Sequence, residues 1–246
     1  KFLPAGSADP EDRGARGKRR AGRALAREWQ RKFGGIVVYD RAGFDAVDPA
    51  RTTHLLGLFE RSHMEYEADR AQDTGGEPSL AEMTQKAIEI LARNPRGYFL
   101  MVEAGRIDHG HHAGNAYRAL TDTIALSEAV RAAMARVDLR ETLVIVTADH
   151  SHVFTMAGYP ARGNPILGKV IEPGASAPAL AADGKPYTTL GYANGAGFHD
   201  GARGMPPYPR TARSGRGQDL AGIDTAHPAF HQEALVPLES ETHGGE

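Results

Sequence analysis

Apolar residues along this chain recur at two spacings, and the alternation between them predicts an α/β protein. In "AGRALAREWQRKF" (21–33), Leu25, Trp29 and Phe33 stand four apart, which is one face of a helix. "GGIVVYD" follows as a short buried strand. "SLAEMTQKAIEILARN" predicts a second helix, with Met83, Ala87, Ile90 and Leu91 at helical spacing. Ser79, with Glu82 three residues on, is the capping-box pattern of a helix start. "GYFLMVE" (97–103) and "TLVIVTAD" (142–149) are unbroken apolar runs closed by acids, as in strands buried on both faces of a sheet. Between them "NAYRALTDTIALSEAVRAAMARV" predicts a helix of about six turns. Strand, helix and strand in that order imply a parallel pair with a right-handed crossover.

After residue 157 the periodicity fades into Gly, Pro and Ala, with short strand-like pieces such as "YTTLGY". An irregular, partly β insertion is expected from there to about residue 236. Residues 1–20, with Pro4 and Pro10, are expected to be irregular. At 246 residues the chain can bury one good-sized core and a smaller appendage. The net charge of −2 gives no general attraction to nucleic acid or anionic membrane. The basic run "RGARGKRRAGR" (13–23) lacks aromatic interleaving and reads as a solvated loop and helix start. No apolar run approaches the ~18–20 residues of a membrane helix. With no cysteine, any transition metal must be held by His, Asp and Glu.

Six of the eleven histidines (His109, His111, His112, His150, His152 and His243) fall in three short motifs, "IDHGHH", "DHSH" and "ETHGGE". Glu103 closes the first apolar run, and Asp149 with His150 closes the second. Ligands of open α/β sheets bind beyond the carboxyl ends of strands, so these acids are expected at one rim. Asp108 and His112, four apart at a helix start, share a face; His111 is turned away from it. Taken singly, Asp108 fits a helix N-cap, Asp149 a turn and His150 a hydrogen-bonded buried histidine. Taken together, the clustering favours a metal site.

The motifs "GYFLMVEAGRIDHGHH", "TLVIVTADHSHVF", "GLFE" and "ETHGGE", with "RNPRGYF" and "AGYPARG", resemble the alkaline phosphatases, in particular the animal-type and related bacterial branch. The resemblance runs over essentially the whole chain. It implies a three-layer α/β sandwich with a mostly parallel central sheet, present as a partial domain, with an inserted irregular or β crown subdomain. Residues 1–157 would be the C-terminal part of the α/β core, 158–236 the crown-like insertion, and 237–246 the return to the core. The family's two zinc ions and one magnesium ion would be shared as follows: Asp108, His112 and His243 hold the first zinc, Asp149 and His150 part of the second, and Glu103 is a magnesium ligand. His109 would contact phosphate or magnesium through water, and His152 would support the second zinc from behind. Tyr159 matches the tyrosine that reaches into a partner subunit, which implies a homodimer. Glu11, the Phe59 carbonyl and Glu60 match a calcium site; Glu77 joins them, although the spacing before "EPSL" departs from the family's pattern.

The implied activity is metal-dependent hydrolysis of phosphate monoesters through a phosphoserine, in a periplasmic, extracellular or cell-surface protein. A chain running from "KFLPAG" to "ETHGGE" is expected to be a fragment, incomplete at both ends. The family's nucleophile lies in an Asp-Ser-Ala stretch that does not occur here, so the fragment alone is expected to be inactive. Ser151, inside "DHSH", points by alternation away from its histidine neighbours and is not its replacement. The competing readings are a sulfatase or phosphodiesterase of the same architecture, and a non-catalytic metal-binding module.

Overall fold

A helix begins where Ser79 and Glu82 predict one: α3 (Leu80–Leu91) has Ser79 as its N-cap. The Ser79 hydroxyl accepts the Glu82 N–H, and the Glu82 carboxylate accepts the Ser79 N–H at 2.8 Å. Two donors of the helix start are thereby satisfied reciprocally. Glu82 also accepts from two nitrogens of Arg41, at 2.7 and 3.0 Å, which ties α3 to the short helix α2 (Arg41–Asp45). Lys86, one turn on, donates to the Phe44 and Val47 carbonyls at 2.6 and 3.2 Å, covering the C-terminal end of α2.

The computed structural model describes residues 3–10, 14–20, 22–181, 184–198, 219–237 and 243. Two compact units are found among them. The first takes in the described residues up to Ala104 together with Asp122–Val144. Helix α1 (Leu25–Phe33) and strand β1 (Ile36–Val38) form where the pattern places them. β1 pairs in parallel with β2 (Leu55–Gly57), with α2 in the connection. Val38, Phe44, Val47 and Phe59 make the core, flanked by Leu55, Met64 and Met83. Phe44 and Phe59 meet edge to face, 6.0 Å between ring centres. Each such side chain contributes about 1.5–3 kcal/mol by leaving water.

The second unit comprises Gly105–Thr121 and the described residues from Ile145 on. It contains α4 (Arg106–His112) and the start of α5 (Ala116–Met134), the long helix that the pattern predicts. Strand β3 (Phe154–Met156) pairs antiparallel with β4 (Leu190–Asn194), which pairs in parallel with β5 (Ala234–Val236). The stretch between β3 and β4 has only isolated bridges, Lys169 with Thr188 and Leu180 with Pro186, as its composition suggests.

Two expectations are corrected. The runs 97–103 and 142–149 carry no strand assignment, and Phe99, Met101, Leu143 and Ile145 are 73–88% exposed. A strand of a parallel sheet exists only through the ladders on its two sides and the helices on its faces; among the described residues nothing pairs with either run. The parallel pairs are therefore β1 with β2 and β4 with β5, not these two runs. The fold remains mixed α/β with parallel strands.

Glu82→Gln keeps an oxygen for the Ser79 N–H and removes only the negative charge at the helix start and its more than one-third exposed ion pair with Arg41, so it is expected to cost about 0.5 kcal/mol. In a chain of this size that lowers the melting temperature by roughly 1–2 °C. Burial pulls the Glu82 carboxyl up, but hydrogen bonds from Ser79 and Arg41 outweigh it and hold it below its ordinary value. Its contribution is complete at neutral pH and is lost as the pH falls through the carboxylate range. Melting curves of the two proteins should accordingly converge in acid.

Candidate metal centre

Asp108 lies in the first turn of α4 and His112 one turn later, so their side chains share a face. His150 and His152 come from the extended segment ahead of β3. Two-residue alternation turns both to one side and leaves Ser151 exposed on the other. A single bridge between His152 and His243 brings in the last histidine. Four imidazoles thus converge on one carboxylate oxygen. The Asp108 Oδ1 is 2.7 Å from His152 Nε2, 3.4 Å from His112 Nε2, 3.4 Å from His243 Nε2 and 3.8 Å from His150 Nε2. Asp108, His112, His152 and His243 each offer a donor atom within 4.8 Å of the others, a set able to hold a metal ion.

Burial pulls the Asp108 carboxyl up, but the hydrogen bonds from His152 and His243 and the charges of His112 and His152 hold it below the usual carboxylate range. The carboxylate stays ionised and keeps its neighbours oriented. His152, with its side chain 5% exposed, is the inner wall of the cluster.

His111 backs that wall. Its ring stacks on His152, 5.0 Å between centres, and its Nδ1 lies 2.9 Å from the hydroxyl of Tyr192 on β4. Burial pushes the His111 ring down to about 4, with His152 adding to the shift and Asp108 opposing it. A neutral His111 can then accept the Tyr192 O–H. Burial also pushes the Tyr192 phenol up, so it remains a donor. The sequence separates these two residues by 81 positions, and only the alternation in "YTTLGY" hints that Tyr192 faces inward.

The turn after α4 is held just as firmly. Gly114 adopts φ 63°, which a side chain resists. The Asn115 side chain accepts the Arg118 N–H at 3.0 Å, capping α5, and donates to the Pro228 carbonyl at 2.7 Å. Gln232, 1% exposed, accepts the Ala116 N–H at 2.6 Å and gives its own N–H to the Gly114 carbonyl at 2.9 Å. The segment entering β5 is thereby stitched to the α4–α5 turn. Inside α4, Gly110 approaches α5 closely: a Cβ there would lie 2.7 Å from the Ala119 backbone nitrogen.

The remaining residues singled out by the sequence stand elsewhere. Asp149 is 88% exposed, with Oδ2 3.4 Å from His150 Nε2 at the edge of the cluster. His109 is on α4, its Nδ1 3.4 Å from the Arg106 guanidinium. Tyr159 is 88% exposed. Glu103, in the first unit, is exposed. Glu60, Asp73 and Glu77 form a second group in the first unit, with ligand-type oxygens within 4.8 Å of one another. Burial pushes the Glu77 carboxyl up to about 7; the Glu65 N–H opposes this, and Asp73, Glu60 and Glu65 add to it. Asp73 is a residue that no motif spacing picks out. Glu11, expected with this group, lies outside the described residues.

The alkaline phosphatase family model matches residues 1–246. The chain is 43% identical over 242 residues to the tissue-nonspecific alkaline phosphatase isozyme of Gallus gallus, covering 96% of this chain and 43% of that protein. The corresponding isozyme of Rattus norvegicus is 41% identical over 242 residues, covering 96% and 42%. The chain thus spans less than half the length of the curated relatives it matches. The crystal structure of Thermus thermophilus alkaline phosphatase superposes with a TM-score of 0.52 at 38% identity, over 58% of this chain and 30% of that one. A match over every residue, around a histidine and carboxylate cluster suited to a metal, makes this chain a member of the alkaline phosphatase family.

Proposed function

We propose that this chain is part of a metal-dependent phosphatase that hydrolyses phosphate monoesters through a phosphoserine. The convergence of four imidazoles on Asp108 Oδ1 carries this reading. A set of one carboxylate and several imidazoles, in a chain without cysteine, suits zinc. Asp108, His112 and His243 would hold one zinc ion, Asp149 and His150 part of a second, and Glu103 would offer a hard oxygen to magnesium. Zinc held by these residues would supply Lewis acidity and positive charge toward a phosphoryl group. His152 keeps the Asp108 carboxylate aimed at its neighbours by the 2.7 Å contact to Oδ1. His109, beside the cationic Arg106, is assigned contact with phosphate or magnesium through water.

Glu60, Glu77 and the Phe59 carbonyl would hold calcium, with Glu11 assigned by the same resemblance. Residues 158–236 are assigned to a crown subdomain and the rest to the catalytic α/β domain. The exposed Tyr159 ring would reach a partner subunit in a homodimer. Among the described residues no helix is long and apolar enough to cross a membrane, and a periplasmic, extracellular or cell-surface setting follows from the family alone.

The 246 residues contain no Asp-Ser-Ala stretch, so the serine nucleophile is assigned to a segment outside them. The chain supplied with zinc and magnesium is expected to leave p-nitrophenyl phosphate intact, whereas the chain joined to the N-terminal half of a family member should hydrolyse it. Turnover by the chain alone would remove the assignment of the nucleophile elsewhere. Metal uptake without turnover in the joined protein would favour a metal-binding module instead.

A further inference from the structure

The acidic group in the first unit contains a residue that the family motifs do not supply. Glu77 is 2% exposed. Its Oε1 accepts the Glu65 N–H at 2.8 Å, while Oε2 is buried without a hydrogen-bond partner. Asp73 Oδ2 is buried in the same condition. Together with Glu60, each offers an oxygen within 4.8 Å of the other two. Like charges this close, with two oxygens deprived of water and of donors, are unfavourable unless a cation lies among them.

Arg70, three residues before Asp73, does not serve as that cation. Arg70 commits Nε and one terminal nitrogen to the Glu67 carboxylate, at 2.8 and 2.7 Å, and its other terminal nitrogen to the Glu77 backbone carbonyl at 3.4 Å. It helps instead to position the group. Arg70–Gln72 form one 3-10 turn, and Asp73 closes it by donating its N–H to the Arg70 carbonyl at 3.2 Å. Glu77 stands two residues before the Ser79 cap, and Glu60 follows Phe59, whose ring is locked in the core. All three carboxylates therefore start from anchored backbone.

We infer that Asp73 is a third carboxylate ligand, with Glu60 and Glu77, of a hard divalent cation of the calcium class. The inference rests on the calcium reading above and extends it: the site gains a charge from a residue between the motifs that the family resemblance supplies. All-oxygen, carboxylate-rich coordination favours calcium, which takes six to eight oxygens in flexible geometry, over magnesium, which keeps most of its water.

Calorimetric titration of the chelator-treated full chain with Ca2+ tests this. Asp73→Asn is expected to weaken binding by about 10-fold or more, since calcium affinity is tuned by the number of charged ligands. Glu77→Gln should remove binding, and Asp69→Asn, an acid of the same loop outside the group, should leave it as in the wild type. Melting of the calcium-free proteins separates a ligand from a structural prop: Asp73→Asn should melt at or above the wild-type temperature, because a repulsion is gone. A structural prop would lower it. Wild-type affinity in Asp73→Asn, with binding lost in Glu77→Gln, would overturn the role of Asp73 and leave the calcium reading standing. A wild-type chain that takes up no calcium would overturn both.

Discussion

Asp108→Ala is expected to lower zinc affinity at the histidine cluster by more than about 100-fold, beyond the 10–100-fold typical of residues that only support ligands. Four imidazole nitrogens lie 2.7–3.8 Å from one oxygen of this carboxylate, so it is both a donor and the hub that aligns the others. Without it, His152 loses its 2.7 Å contact to Oδ1 and the remaining donors lose the anion that offsets a dication. Ser151→Ala, on the opposite side of the same segment, should bind zinc as the wild type does. Competition against a chromophoric chelator measures both. An Asp108→Ala protein with near wild-type zinc affinity would show that the cluster is not a zinc site.

Gly110→Ala should produce a marked loss of stability for the addition of a single methyl group. Glycine to alanine in a helix interior ordinarily stabilises by roughly 0.5–1 kcal/mol. Here the added Cβ would meet the Ala119 backbone at 2.7 and 2.9 Å, and backbone cannot swing aside. Overpacking of this kind costs about 1–3 kcal/mol and outweighs the gain in propensity. The melting temperature should fall by several degrees, at roughly 2–4 °C per kcal/mol. Because Gly110 lies between Asp108 and His112, relief of the clash moves the ligands as well. Zinc affinity should drop along with stability, which distinguishes this variant from Glu82→Gln, whose effect is confined to the first unit.

The cluster also explains why "DHSH" carries two histidines with different surroundings. His150 is part-exposed at 3.8 Å from Asp108 and touches the exposed Asp149, whereas the His152 side chain is buried and makes the shortest contact. Two-residue alternation places both on one side. Depth, set by the ring of His111 stacking on His152, gives His152 the orienting position.

Much of this protein was legible in local pattern. The capping box of Ser79 and Glu82, the apolar stripe of α1, the long helix α5 and the shared face of Asp108 and His112 depend on residues within a turn or two of each other, and short-range geometry decides them. The histidine motifs stood out because six of eleven histidines fall in three short stretches, and all three stretches supply an imidazole beside Asp108 Oδ1. Local pattern misled for residues 97–103 and 142–149: apolar content states that a run can be a buried strand, but hydrogen-bond partners from elsewhere make it one. Tertiary structure alone decided that Tyr192 braces His111, that Gln232 locks the turn after α4, and that Asp73 joins Glu60 and Glu77. Those contacts link residues far apart in the chain or unmarked by any motif, and their distances are set by packing, which sequence spacing does not encode.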